Sequence, residues 1–199
     1  MKIVIIKYNA GNIRSVANAI ARLGYEAEIT DDEATIRAAD RVIFPGVGEA
    51  ATTMKYLREH HLDSLIRSLK QPVLGICLGM QLLCSHSEEG DVDCLGIFDV
   101  PVKRFQLPAQ NPDNLKIPHM GWNVIENCKS PLFTARENGE YVYFVHSYYV
   151  PLCEHTAAET EHTIRYSSAL HRDNFFATQF HPEKSGDVGE RILSNFINN

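Results

Sequence analysis

A chain of 199 residues with 44% hydrophobic content can fill one full core, and one domain over 1–199 is the natural reading. A net charge of −6 with no long run of either sign argues against nucleic acid or an anionic membrane as partner. The five cysteines, at 77, 84, 94, 128 and 153, form no CxxC pair and no zinc-type spacing, so neither a metal nor a cofactor is implied. With no apolar stretch long enough for a secretory signal or a bilayer span, a reducing, cytoplasmic setting is expected.

Residues 2–7, KIVIIK, read as a buried strand, and Tyr8 to Asn12 as a turn. Asn12 is a suitable cap for a helix that buries Ile13, Val16, Ile20 and Leu23 and ends at Gly24. A strand near 25–29, a helix opened by Asp31 and Asp32, and a strand at 41–44 follow. Such alternation predicts an α/β fold, a doubly wound and mostly parallel sheet with flanking helices, whose ligands gather at the carboxyl ends of the strands. Pro45-Gly46-Val47-Gly48 stands at one of those ends, where two glycines let backbone amides approach a ligand. No Lys-Ser/Thr follows at phosphate-loop spacing. Helices fill 49–70.

The stretch PVLGICLGMQLL at 72–83 opens as an apolar strand and continues as a helix with Leu78, Leu82 and Leu83 on a buried face. Cys77 stands at the switch, with Gly75 and Gly79 two residues to either side. This is the spacing of a strand-to-helix nucleophile elbow, with Cys in place of Ser. The turn exposes the nucleophile, and the glycines pass where a Cβ would clash. The helix that follows lends its N-terminal dipole to a thiolate. A free cysteine is as readily a core residue, so the elbow needs a base.

Beyond the elbow, 88–127 shows short strands broken by Gly, Pro and Asn, with a loop over 108–118. Residues 141–150 are strongly β in composition, 163–169 and 174–180 pair as a hairpin, and the chain closes on a helix from about 186 to 197. The second half thus carries a smaller antiparallel region. Gln179-Phe180-His181-Pro182-Glu183 supplies the base. Pro182 biases His181 toward an extended backbone, and alternation then puts Glu183 on the same face as His181. A nucleophile, a base and a group that orients the base are what nucleophilic catalysis requires.

PGVG, GICLGMQ and QFHPEKSG together resemble the class I (triad) glutamine amidotransferases, over nearly the whole chain. The resemblance implies a flavodoxin-like sheet, L-glutamine as substrate, Cys77 as nucleophile, His181 as general base and then acid, and Glu183 as its partner. It implies an oxyanion hole from the amides of Val47, Gly48 and Leu78, and glutamine binding by Gly46, Gly48, Gln81, Ser147 and Tyr148. A narrower likeness rests on YNAGN at 8–12, KIPHMGWN at 116–123 and YFVHSYY at 143–149. It is to the branch of the family that serves histidine biosynthesis and delivers ammonia to a separate (βα)₈-barrel cyclase subunit. That branch places Asn12, His119, Trp122 and Lys184 near the partner. Trp122 reads equally well as the core aromatic of its own strand, and Lys184 as a solvated charge. The rival readings are an amidotransferase of another pathway, a Cys-His peptidase or γ-glutamyl hydrolase on the same sheet, and a non-catalytic binding subunit.

Overall fold

The structure, a computed structural model, describes residues 1–8, 12–112 and 114–199. Three apolar runs and the more polar edge segment AEIT become parallel strands: β1 (Ile3–Ile6), β2 (Ala27–Thr30), β3 (Arg41–Gly46) and β4 (Val73–Cys77), in the spatial order β2-β1-β3-β4. Their side chains divide by parity. Val4, Ile6, Val42 and Phe44 enter one core with helices α2 (Glu33–Arg37), α3 (Ala50–Glu59) and α4 (Leu62–Ser68). Ile3, Ile5, Ile43, Leu74 and Ile76 enter the other core, against α1 (Ile13–Arg22) and the C-terminal helix. β1, β3 and β4 are buried on both faces and so are apolar almost throughout, which is why they do not alternate.

Local chemistry sets the helix ends. The Asp32 carboxylate accepts the Thr35 N–H at 2.7 Å and opens α2. The Glu49 carboxylate accepts the N–H groups of Ala51 and Thr52 and opens α3. Gly24, at φ +84°, follows the last turn of α1, in a conformation that glycine adopts without strain. Asn12 sits at the start of α1 but its side chain caps nothing; its amide is spent elsewhere, on Glu183. Of the turn expected over 8–12, residues 9–11 lie outside the described residues.

The helix after the elbow, α5 (Leu78–Leu83), is six residues long and buried on every side. It is not the one-faced amphipathic helix that the spacing of its leucines suggests. A small second sheet covers it, built from β5 (His86–Ser87), β6 (Val92–Asp93), β7 (Pro101–Arg104) and, further on, β10 (Tyr148–Tyr149). β8 (His119–Val124) and β9 (Tyr141–His146) form a separate antiparallel ribbon, and among its described residues the stretch 105–118 has no helix or strand.

β11 (Thr156–Glu161), β12 (Arg165–Arg172) and β13 (Phe175–Thr178) finish the main sheet. β12 and β13 form the expected hairpin, and β13 lies parallel to β4, giving β2-β1-β3-β4-β13 in flavodoxin-like order. β11 is an antiparallel edge strand at 156–161, where the sequence carries no strand signal. The final helix α6 (Gly186–Asn198) buries Ile192, Leu193, Phe196 and Ile197 as expected.

Candidate active site

Three adjacent strands end at one place. The register pairs Gly46 of β3 with Cys77 of β4, and β13 leads through Gln179 and Phe180 to His181. Cys77 has φ 54° and ψ −109°, outside both helix and strand regions, a cost on the order of 1–3 kcal/mol that the surrounding packing must hold. The holding is visible at the glycines. A Cβ on Gly79 would fall onto the carbonyl oxygen of Phe44. One on Gly75 would lie 2.7 Å from a methyl of Leu83.

His181 is held through its main chain. Its N–H donates to the Tyr143 carbonyl at 2.9 Å, and its own carbonyl accepts the Ser185 hydroxyl at 2.6 Å. Its Nδ1 lies 2.8 Å from Oε1 of Glu183, with both side chains buried. The route to that contact differs from the expectation. His181 is extended, but Pro182–Lys184 is a 3₁₀ turn, and Glu183 reaches the imidazole by curling back rather than by strand alternation. Pro182 begins that turn, where no N–H is needed. The opposite nitrogen, Nε2, is buried without a hydrogen-bond partner among the described residues, and His181 borders the same cavity as Cys77. Burial works against charge on this imidazole, but the Cys77 thiol and the Glu183 carboxylate outweigh it and raise its pKa to about 10.

The cavity holds about 410 Å³ and is bordered by Val47, Gly48, Leu78, Gln81, Ser147 and Tyr148, besides Cys77 and His181. Leu78 is the first residue of α5, so its N–H has no intrahelical partner. Gly48 has φ +126°, a conformation that favours glycine. Gly46 differs from the expectation that it touches glutamine: it lies in β3 and does not border the cavity. A Cβ there would sit 2.7 Å from the Tyr8 hydroxyl and 2.8 Å from the Gly79 nitrogen, so its bareness serves packing beneath the elbow.

Of the four residues expected at a partner contact, two are outward and two are not. Trp122 is 56% exposed, which rules out the core-aromatic reading, and it meets Tyr143 edge to face at 6.0 Å. Lys184 is exposed, with its Nζ 5.9 Å from the centre of the same Tyr143 ring. Met120, unremarked in the sequence, shares that outer face. His119 points the other way by strand alternation: it is buried, stacked on His162 and Phe144. Asn12 is half-buried and its Nδ2 donates to Glu183 Oε1 at 2.6 Å.

Sequence reasoning overlooked three groups around the site, of which Glu89 borders the cavity itself. Gln179 donates toward Cys77 Sγ at 3.8 Å and accepts from Gln81 Nε2 at 2.9 Å. Its place two residues before an extended His181 is a usable signal. Tyr8 donates its hydroxyl to the Pro45 carbonyl. Glu89 borders the cavity with a carboxylate that accepts the Ala50 N–H at 3.0 Å, and burial, with Glu49 nearby, pushes its pKa up. Glu89 has no local sequence cue, because the fold alone brings it there.

An elbow cysteine, a buried His–Glu pair and backbone amides around one cavity define a site suited to acyl transfer from an amide through a thioester. The chain belongs to the class-I glutamine amidotransferases, whose family model matches residues 4–199. Within that family its relatives include the imidazole glycerol phosphate synthase subunit HisH of Bacteroides thetaiotaomicron, 62% identical over 99% of both chains. HisH of Idiomarina loihiensis is 48% identical over 99% of this chain and 97% of its own. Among solved structures, a glutamine amidotransferase superposes with a TM-score of 0.74 at 20% identity, covering 98% of this chain and 96% of that one. A putative GMP synthase component from Thermoplasma acidophilum gives 0.73 at 20% identity, covering 99% and 92%. At these identities the two structures speak for the fold.

Proposed function

We propose that the chain is the glutaminase subunit of imidazole glycerol phosphate synthase, hydrolysing L-glutamine and passing ammonia to a (βα)₈-barrel cyclase in histidine biosynthesis. The observation that carries the chemical part is the pairing of an elbow thiol with a buried His181–Glu183 couple on one cavity. The full-length identity to HisH proteins carries the pathway.

In this reading Cys77 Sγ, as thiolate, attacks the side-chain carbonyl carbon of glutamine. The negative charge moves onto the carbonyl oxygen, toward the N–H groups of Leu78 and the 47–48 peptide units, where each well-aimed donor is worth about 10²–10³ in rate. His181, charged and held by Glu183, gives its Nε2 proton to the departing nitrogen, and ammonia leaves a γ-glutamyl thioester. The neutral imidazole then takes a proton from water, whose oxygen attacks the thioester and releases glutamate and the thiolate. Glu89, Gln81, Ser147 and Tyr148 lie where the amino-acid end of the substrate would rest, and the Glu89 carboxylate suits its ammonium group.

The outer face of β8 and β9, with Met120, Trp122 and Tyr141 all more than half exposed, suits the cyclase. The His181 N–H to Tyr143 carbonyl bond ties that face directly to the site. The decisive experiment uses the complex with Cys77→Ala. Glutamine-dependent synthesis is expected to vanish while synthesis from ammonium salts continues. Loss of both reactions in an assembled complex would overturn the reading.

A further inference from the structure

Behind the glutamine pocket runs a chain of buried hydrogen bonds that the chemistry above does not use. His146 Nδ1 lies 2.6 Å from the carbonyl oxygen of Tyr148, and its Nε2 3.3 Å from the Tyr166 hydroxyl. His119 Nδ1 lies 3.1 Å from the same hydroxyl, and its Nε2 3.2 Å from the amide nitrogen of Asn123. His119, His146 and Tyr166 are all buried, so their polar atoms must satisfy one another.

One carbonyl settles every proton in the chain. A carbonyl oxygen only accepts, so His146 Nδ1 carries the hydrogen and its Nε2, in the neutral ring, is a lone pair. Tyr166 must therefore donate to His146. Its oxygen is then free to accept from His119 Nδ1, which leaves His119 Nε2 to accept from Asn123, whose amide nitrogen can only donate. Both rings are held as Nδ1–H tautomers.

The far end of the chain is the substrate wall. The Tyr148 carbonyl takes a second hydrogen bond, from Gln81 Nε2 at 3.1 Å, and Gln81 in turn donates to Gln179, which faces the Cys77 sulfur. The preceding carbonyl, of Ser147, accepts from the Phe105 N–H at 3.0 Å. With the wrong tautomer, two lone pairs would oppose each other at 2.6 Å, and the Tyr148 peptide would turn away from Gln81.

We propose that Tyr166 and His146, backed by His119, are positioning residues for glutamine: their tautomer chain fixes the Ser147–Tyr148 wall of the pocket. This rests on the glutaminase reading, and it touches no reacting atom. The experiment has two arms. In the ¹⁵N-labelled chain, long-range ¹H–¹⁵N correlation spectra at neutral pH should show both His119 and His146 protonated at Nδ1; an Nε2–H form at either overturns the proposal. In the assembled complex, Tyr166→Phe should raise KM for glutamine about tenfold, the worth of one lost buried hydrogen bond. Its kcat should move less than about threefold, and ammonium-driven synthesis should be unchanged. An unchanged KM, or a kcat loss with KM intact, overturns the proposal. Should Tyr166→Phe fail to fold, the spectrum of the unaltered chain decides alone. Should the unaltered complex fail to hydrolyse glutamine, the glutaminase reading falls, and the spectrum still tests the chain of tautomers.

Discussion

Glu183 places both of its hydrogen-bonded neighbours on one oxygen. Oε1 meets His181 at 2.8 Å and Asn12 at 2.6 Å, while Oε2 is buried with no partner among the described residues. Asn12 therefore helps decide where the carboxylate sits, and so where the imidazole points. A hydrogen bond to a charged group is worth about 1.5–3 kcal/mol. Asn12→Ala is expected to lower kcat for glutamine hydrolysis by about tenfold or more, with KM little changed. Steady-state kinetics on the complex checks this, and an unaltered kcat would show that the Asn12 contact is incidental.

The elbow works as an element because β3 and α5 touch without side chains between them. Gly79 sets that approach, since any Cβ there would meet the Phe44 carbonyl oxygen of β3. Gly79→Ala must push strand and helix apart, and a loss of about 3 kcal/mol in urea unfolding is expected. A loss below about 0.5 kcal/mol would mean that the contact relaxes freely. At this scale the sequence is informative where one rule governs a stretch. β1, β3 and β4 are legible because burial on both faces leaves an unbroken apolar run, and the elbow because its glycines have fixed spacing. β11 is not, since TAAETE on a sheet edge mixes small and polar residues and its pairing depends on a hairpin partner further along. The 3₁₀ turn at Pro182–Lys184 escapes a reading from sequence because proline bars a helix interior but fits its first position. Cys77, His181 and Glu183 stand in local motifs; Asn12 stands in one too, but its contact with Glu183, like the place of Glu89, comes only through the fold.

For the molecule as a whole, the buried histidines set opposing responses to pH. Burial holds His119 and His146 down to about 3, against 6.5 for a free histidine. A depressed base stabilises the fold above its unfolded value, and that contribution is lost as pH falls from 6.5 toward 3. His181, raised to about 10, behaves in reverse: its contribution is complete below 6.5 and drains away as pH rises toward 10. Stability should peak near pH 6.5. The two buried rings act on the acid side, while His86, raised by its bond to Asp93 and by nearby Asp91, joins His181 on the alkaline side. Urea midpoints between pH 4.5 and 8.5 test this, and a flat profile below 6.5 would refute the neutral burial of the two rings.

The insertion of β13 beside β4 has a consequence for the order in which the protein is made. A ribosome synthesises the chain from its N-terminus, so β4 and its thiol emerge long before residues 175–183. Until β13 arrives, one edge of VLGIC is bare, and Cys77 has neither His181 nor Glu183. On the proposed mechanism the nascent chain therefore carries an inert nucleophile on a sticky sheet edge, and the strand that covers the edge also leads in the proposed base. A chain ended after residue 160 should bind a hydrophobic dye strongly and resist labelling by an electrophilic glutamine analogue; brisk labelling of Cys77 in that fragment would contradict this sequence of events. Birth and activation of the glutaminase are, by this geometry, the same late step.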